Sequence, residues 1–330
     1  MKRVRRYDLL RQEWVEHIHI PSYRDPEWVQ LRLLHPAKLL DIARQPALYG
    51  ERADVAAHVL FKEYSETPEA REFLWSLRTE VGLSAWIESA QHPSFQPVLE
   101  RIAFASTDAT EAAIASAITA LILSRAQFTP YVSQLLGYLD SGDSYLRLSA
   151  AAALATLGNY EGETVLASEL AQGERRRQAL YFITAVYVHG NFCNKKHFPK
   201  SIEEAFLSCM DQIISCIKSS EECISVQPLY SMEARFDINF ICNLLENLLS
   251  KCLKKHVDQK VKQLIASLYE SGRRRYLGLL VVLRAFLTGQ PYKSPDGRIL
   301  KSVYIPHPSS RRLLPLVEEM IHKLDGSGSS

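Results

Sequence analysis

The chain is poor in the residues that break helices. Its 330 residues include only 14 glycines and 15 prolines, too few for the many tight turns of a β-sandwich or barrel, so a largely helical protein is expected. It also lacks an excess of charge of either sign. With 39 basic and 37 acidic side chains the formal net charge is +2, so no global field draws it to nucleic acid or to a membrane, and any such binding must come from local patches. No apolar run reaches the ~20 residues that a bilayer-spanning helix requires: 112–123 contains Ser116 and Thr119, and 277–287 is cut by Arg284. The basic start, Met1 to Arg6, runs into Tyr7, Asp8, Arg11 and Glu13 rather than into the apolar core of a secretory leader. A soluble, cytoplasmic protein that does not engage membranes is the expectation.

Cysteine and tryptophan are confined to opposite ends. Cys193, Cys209, Cys216, Cys223, Cys242 and Cys252 all follow residue 192, whereas Trp14, Trp28, Trp75 and Trp86 all fall within the first 86 residues. This division suggests two halves joined near 190. The cysteines are too sparse for a disulfide scaffold and form no Cys-x-x-Cys pair, so reduced thiols are expected. Gly-x-Gly-x-x-Gly, Walker-type, Gly-x-Ser-x-Gly and His-Glu-x-x-His motifs are all missing.

What is present is a repeat. Val132, Leu135, Leu136 and Leu139 form an apolar stripe at helical spacing. Asp140 to Asp143 supplies turn and N-cap chemistry, and Tyr145, Leu148, Ala152, Ala153, Ala155 and Leu157 form a second stripe ending at Gly158. One unit later, Leu166 and Leu170 replace Leu135 and Leu139, Gly173-Glu174 replaces Gly142-Asp143, and the apolar stretch 179–188 replaces 148–157. One unit earlier, Phe104 stands for Leu139, Asp108 for Asp143, and 112–121 is the second helix. Three units of similar length in series describe a repeat array.

The segment from Ser141 through Asp143, Arg147 and Ala150–Ala153 to Gly158 resembles the second helix of a HEAT-type repeat, with its turn aspartate, its first-turn arginine and its alanine-rich face closing on Leu157-Gly158. The resemblance is good over 131–190 and looser over 95–130; the following unit departs from it by carrying Gln178 where Arg147 stands. It implies an all-α fold, an α-solenoid of antiparallel helix pairs of the HEAT/armadillo kind. In such repeats the alanine face lets paired helices approach closely, while the Asp and Arg bond successive turns. It implies no particular activity.

Around this array, residues 1–94 read as an irregular helical N-terminal cap, with helices at 7–17, 26–34, 36–45, 52–64 and 68–81, since Pro26, Pro36 and Pro68 suit helix starts. Residues 191–325 read as a C-terminal helical region with helices at 200–218, 232–254, 257–271 and 273–288. Ser294-Pro-Asp-Gly297 sits between strand-like runs and predicts a short β-hairpin insertion over 291–308. A last helix is expected over 310–324, and 326–330 has the composition of a flexible linker.

Few constellations carry chemistry. Cys193 with His197, and Cys252 with His256, are two Cys-x-x-x-His spacings that together make a Cys2His2 metal set if they converge; packing of Cys as a small core residue is the simpler reading. No metal or other cofactor is therefore expected. Cys209, Cys216 and Cys223 share a heptad-like stripe, read as buried. Arg175, Arg176 and Arg177, and Arg273, Arg274 and Arg275, each start an apolar helix where positive charge opposes the helix dipole, so they are candidate phosphate-binding residues against a background of solvated surface. His17 and His19, with Asp25, read as surface. The four tryptophans read as core packing of the cap, with a base-stacking pocket as the alternative. The leading functional expectation is a non-enzymatic scaffold or adaptor that binds a protein partner. The alternative is a nucleic-acid-binding HEAT-like protein, DNA-base excision included, acting through the arginine clusters; an enzyme with a site no motif reveals ranks last.

Overall fold

In a computed structural model of the protein, the described residues are 3–8, 13–18, 26–79, 89–189, 198–219, 224–225, 236–252, 254–271, 277–288, 292–293, 299–300 and 314–325. Most of them are helical. The chain divides into two compact units, Met1–Leu166 with Tyr181–Cys193, and Ala167–Leu180 with Asn194–Ser330.

The first unit opens with a correction. The helix expected over 7–17 is absent; β1 (Arg3–Asp8) and β2 (Glu13–Ile18) pair antiparallel, with Tyr7 opposite Trp14 and Arg3 opposite Ile18. Val4, Tyr7, Trp14, Val15 and Ile18 favour a pleated backbone, and the two registers are better matched to a ladder than to a 3.6-residue stripe. Helices follow: α1 (Pro26–Leu31), α2 (Pro36–Ala43), α3 (Pro46–Tyr49), α4 (Glu51–Glu63) and α5 (Pro68–Ser76). Proline stands at the first position of α1, α2, α3 and α5, where its missing N–H costs nothing.

Residues 95–190, where the repeat array is expected, give α6 (Gln96–Phe104), α7 (Glu111–Leu123), α8 (Val132–Tyr138), α9 (Ser144–Thr156), α10 (Tyr160–Gln172) and α11 (Arg176–Ile183), the last continued by a π-helical turn over Thr184–His189. Helix α6 packs on α7, α8 on α9, and α7 on α9. The caps are those the residues dictate: Thr110 Oγ1 accepts from the Ala113 amide at 3.2 Å, and Asp143 Oδ1 from Leu146 at 2.8 Å. Gly158 leaves α9 at φ +73°, the left-handed conformation that closes a helix, with the Asn159 amide donating to Leu154. Arg147 Nη1 donates to the Ser141 carbonyl at 3.3 Å across the turn.

The core of this unit is built on small residues. Ala150 to Ala153 and Ala155 are wholly buried, and α10 lies so close to them that a Cβ at Gly162 would stand 2.5 Å from the Ala151 carbonyl oxygen. Leu135, Leu148 and Leu154 are wholly buried as well. Leu157, read as core from its spacing, is 38% exposed. It occupies the C-cap of α9, at the open end of the helix just before the chain turns at Gly158.

In the second unit, α12 (Lys200–Ser219) buries Ile202, Phe206, Cys209, Met210, Ile213 and Ile217 along one face. It packs on α14 (Lys254–Glu270), and α15 (Leu277–Thr288) packs on α16 (Leu314–Asp325). Helix α13 (Ile238–Lys251) buries Phe240, Ile241, Leu244, Leu245 and Leu248; it starts later than the 232 expected. Short ladders join Ile224–Ser225 to Phe236–Asp237 in parallel, and Tyr292–Lys293 to Ile299–Leu300 antiparallel. No helix among the described residues is long and apolar enough to cross a membrane.

Cys216, in the last turn of α12, is disulfide-bonded, whereas Cys209 and Cys252 are buried and outside any disulfide. The expectation of reduced thiols fails at Cys216, because it rested on cysteine density and spacing while a disulfide depends on which thiols the fold brings together.

Candidate functional site

The arginine triplet at 175–177 is half-buried rather than displayed. The Glu169 carboxylate, on α10, accepts the Arg175 amide at 2.6 Å, so the turn that enters α11 already holds an anionic group where a phosphate would sit. Arg176 donates from Nη2 to the Ala171 carbonyl at 3.3 Å, bonding the last turn of α10, and its guanidinium lies 5.6 Å from the Phe236 ring centroid. Gln178, where the preceding unit has Arg147, is buried. Arg273, Arg274 and Arg275 lie outside the described residues, as do Cys193 and His197.

The other half of the proposed metal set is oriented otherwise. Cys252 is buried, and burial together with the neighbouring Glu203 carboxylate pushes its thiol well above the usual range. A metal-binding or nucleophilic cysteine needs the reverse shift. His256 Nδ1 lies 3.0 Å from Glu203 Oε1, linking α14 to α12. The described residues contain no group of three His, Cys, Asp or Glu side chains arranged to hold a metal. A second buried carboxylate, Glu163, receives the hydroxyl of Tyr187 at 3.1 Å, within the π-helical turn.

The tryptophans separate. Trp28 is buried, at 3% exposure. Trp75 is not: Phe73 and Leu74 take the buried positions of α5, which leaves the next side chain half-exposed on the outside. Two guanidinium groups lie over its ring, Arg101 at 4.0 Å and Arg78 at 4.5 Å from the centroid. Arg78 sits in the 3-10 turn that follows α5 and makes a two-pronged pair with Asp108, Nε to Oδ1 at 2.9 Å and Nη2 to Oδ2 at 2.6 Å. The Thr110 amide donates to the Arg78 carbonyl at 3.0 Å, so side chains and backbone together fix this turn to the loop before α7. The Arg78 guanidinium and the Ser106 hydroxyl hold the Asp108 carboxyl down to about 2.

Arg101, in the last turn of α6, is exposed and belongs to no ion pair among the described residues. Beside it on α6, Phe104 stacks on Tyr131 at 3.9 Å between centroids, and Tyr131 donates to Glu100 at 3.1 Å. Burial and the Glu100 charge raise the Tyr131 hydroxyl above its ordinary value. Gln134 and Tyr138, on α8, donate to the Phe104 and Ala103 carbonyls at 3.0 and 2.8 Å, satisfying the end of α6. The surface formed by α5, α6 and the start of α8 thus presents aromatic faces and one uncommitted guanidinium, which is recognition chemistry. Sequence reasoning singled out Trp75 and read Asp108 as a turn aspartate, but missed Arg78 and Arg101 and the pairing of Arg78 with Asp108.

Comparison with known protein families, with curated proteins and with solved structures finds no match for this chain.

Proposed function

We propose that the chain is a non-enzymatic scaffold of HEAT-type helical repeats that binds a protein partner. The repeat reading is supported within the first unit by hydrogen bonds that join segments about one unit apart: 30 residues for Arg78 with Asp108, Gln134 with Phe104 and Ser141 with Glu111, 31 for Tyr131 with Glu100 and 35 for Tyr138 with Ala103. Stacking of units of similar length brings neighbouring segments together at recurring separations of this size. The ladder between Tyr292–Lys293 and Ile299–Leu300 supports reading 291–308 as a hairpin insertion in the C-terminal region.

The observation that carries the binding function is Trp75, half-exposed with the Arg78 and Arg101 guanidinium groups over its ring. Tryptophan and arginine dominate the energetics of protein interfaces, and a ring already fixed by its neighbours loses little conformational freedom on binding. Nucleic-acid binding through Arg175–Arg177 is the weaker reading, because the Arg175 amide is engaged by Glu169 and the Arg176 guanidinium by the Ala171 carbonyl. Affinity capture with the whole chain from its native cell, with and without nuclease and with Trp75→Ala in parallel, tests the choice. The expected result is a protein retained after nuclease and lost with the variant; recovery of nucleic acid alone, or only of proteins that nuclease releases, would overturn it.

A further inference from the structure

Arg101 and Trp75 present hydrogen-bond donors with no acceptor to meet them. The Arg101 guanidinium carries five N–H groups and the indole one, and neither side chain has an acceptor partner among the described residues; their recorded contact is the stacking of one on the other at 4.0 Å. Stacking leaves the edge of a guanidinium plane free, and that edge matches the two oxygens of a carboxylate. The second cation on the ring does not compete, since Arg78 is committed to Asp108 by both prongs.

We infer that this surface binds an acidic segment of a partner protein, with one Asp or Glu carboxylate taken bidentately by Arg101 and neighbouring apolar side chains laid on Trp75 and Phe104. The inference rests on the protein-binding reading above and names the chemistry of its partner. A carboxylate is favoured over a polynucleotide by the charges around the site. Arg78 is already neutralised by Asp108, whose side chain is 52% exposed, and Glu100 is bonded by Tyr131, which leaves Arg101 as the one guanidinium at this surface with no anion among the described residues. A phosphate backbone needs several uncommitted cations in a row, whereas a single charged anchor among aromatic rings and a mixed rim is the pattern of a protein hot spot.

The test uses the full chain labelled with 15N, whose indole N–H resonances are few, with Trp75 assigned by its disappearance in Trp75→Phe. The probes are a capped twelve-residue peptide of alternating Glu and Leu, the same peptide with Gln for Glu, and a twelve-nucleotide single-stranded DNA. The Glu peptide is expected to shift the Trp75 indole signal saturably, the Gln peptide to bind at least about tenfold more weakly, and Arg101→Gln to reduce affinity for the Glu peptide by a similar factor. Arg101→Lys, which keeps the charge but not the fork, should fall between. Peptide binding that shifts other resonances and ignores Arg101→Gln would overturn this site while leaving a protein-binding scaffold standing. DNA bound more tightly than the peptide at ~0.15 M salt, with loss on Arg101→Gln, would overturn the partner class. No shift of the Trp75 signal at ~1 mM Glu peptide would overturn the inference outright.

Discussion

Substituting Gly162 by alanine sets two effects of comparable size against each other, and the structure decides between them. In the first turn of α10, alanine has the better helix propensity by about 1 kcal/mol. Against this, the added Cβ would lie 2.5 Å from the Ala151 carbonyl oxygen, 2.6 Å from the Leu154 Cβ and 3.1 Å from the Ala155 amide nitrogen. All three atoms belong to the backbone of α9 or are attached directly to it, so no rotamer change relieves the contact. Normal separation of ~3.5 Å requires α10 to retreat by roughly 1 Å, and a gap of that size forfeits a quarter to a half of each dispersion contact it opens. Leu166, one helical turn further on and wholly buried, stands on the face that would lift away. Overpacking of this kind costs about 1–3 kcal/mol. With backbone as the obstruction the upper end applies, leaving a net loss near 2 kcal/mol. Gly137→Ala is the internal control, because Gly137 is also helical and has nothing within 4 Å of its would-be Cβ, so it should gain about 0.5–1 kcal/mol. Urea titrations followed by circular dichroism, with a thermal scan as a second probe, measure both. If Gly162→Ala is as stable as the parent, or moves in the same direction as Gly137→Ala, the close approach of α10 to α9 is refuted.

Four further outcomes follow from the same reasoning. Arg125 holds φ +61° at the end of α7, so Arg125→Gly should stabilise by roughly 0.5–1 kcal/mol in denaturant titration, and a loss would show that the arginine side chain contributes something its exposure hides. Leu135→Ala should cost roughly 2–5 kcal/mol and Leu157→Ala well under half of that, since Leu135 is wholly buried and Leu157 is 38% exposed; equal costs would contradict the burial pattern. The Asp108 carboxyl titrates near 2 in the folded chain against an ordinary 3.8, so the stability it adds is fully present above about pH 4 and is lost as pH falls through 2. The difference between the parent and Asp108→Asn should therefore shrink between pH 4 and 2, and a difference that grows on acidification would reverse the sign of the pairing. Cys252, with its thiol pushed up by burial, should react with an aromatic disulfide at pH 8 far more slowly than free cysteine, and should match it only after unfolding.

Local chemistry made much of this fold legible. The spacing of leucines and alanines over 131–158, the Asp143 cap and the Gly158 stop set α8 and α9 before any coordinates, because helical period and capping act within a few residues of chain. Where the local signal was mixed, it misled. Trp14, Val15 and their neighbours read as a helix by apolar content but pair as β1 and β2, since strand pairing draws on a partner several residues away. Leu157 kept the helical register in sequence, yet at the C-cap of α9 it is 38% exposed. The same divide runs through the candidate site. The arginine triplet at 175–177 stood out as a run of charge, while its engagement by Glu169, Ala171 and Phe236 is invisible in one dimension. Arg101 stood alone in the sequence and acquires meaning only beside Trp75, 26 residues earlier along the chain and 4.0 Å away in space. Sequence by itself determined the mostly helical class and, over 131–158, the helices and their caps. Tertiary structure decided which alanine face receives Gly162, which cysteine is oxidised and which arginine is left without an anion, because each of these depends on distances between segments that the order of residues does not encode.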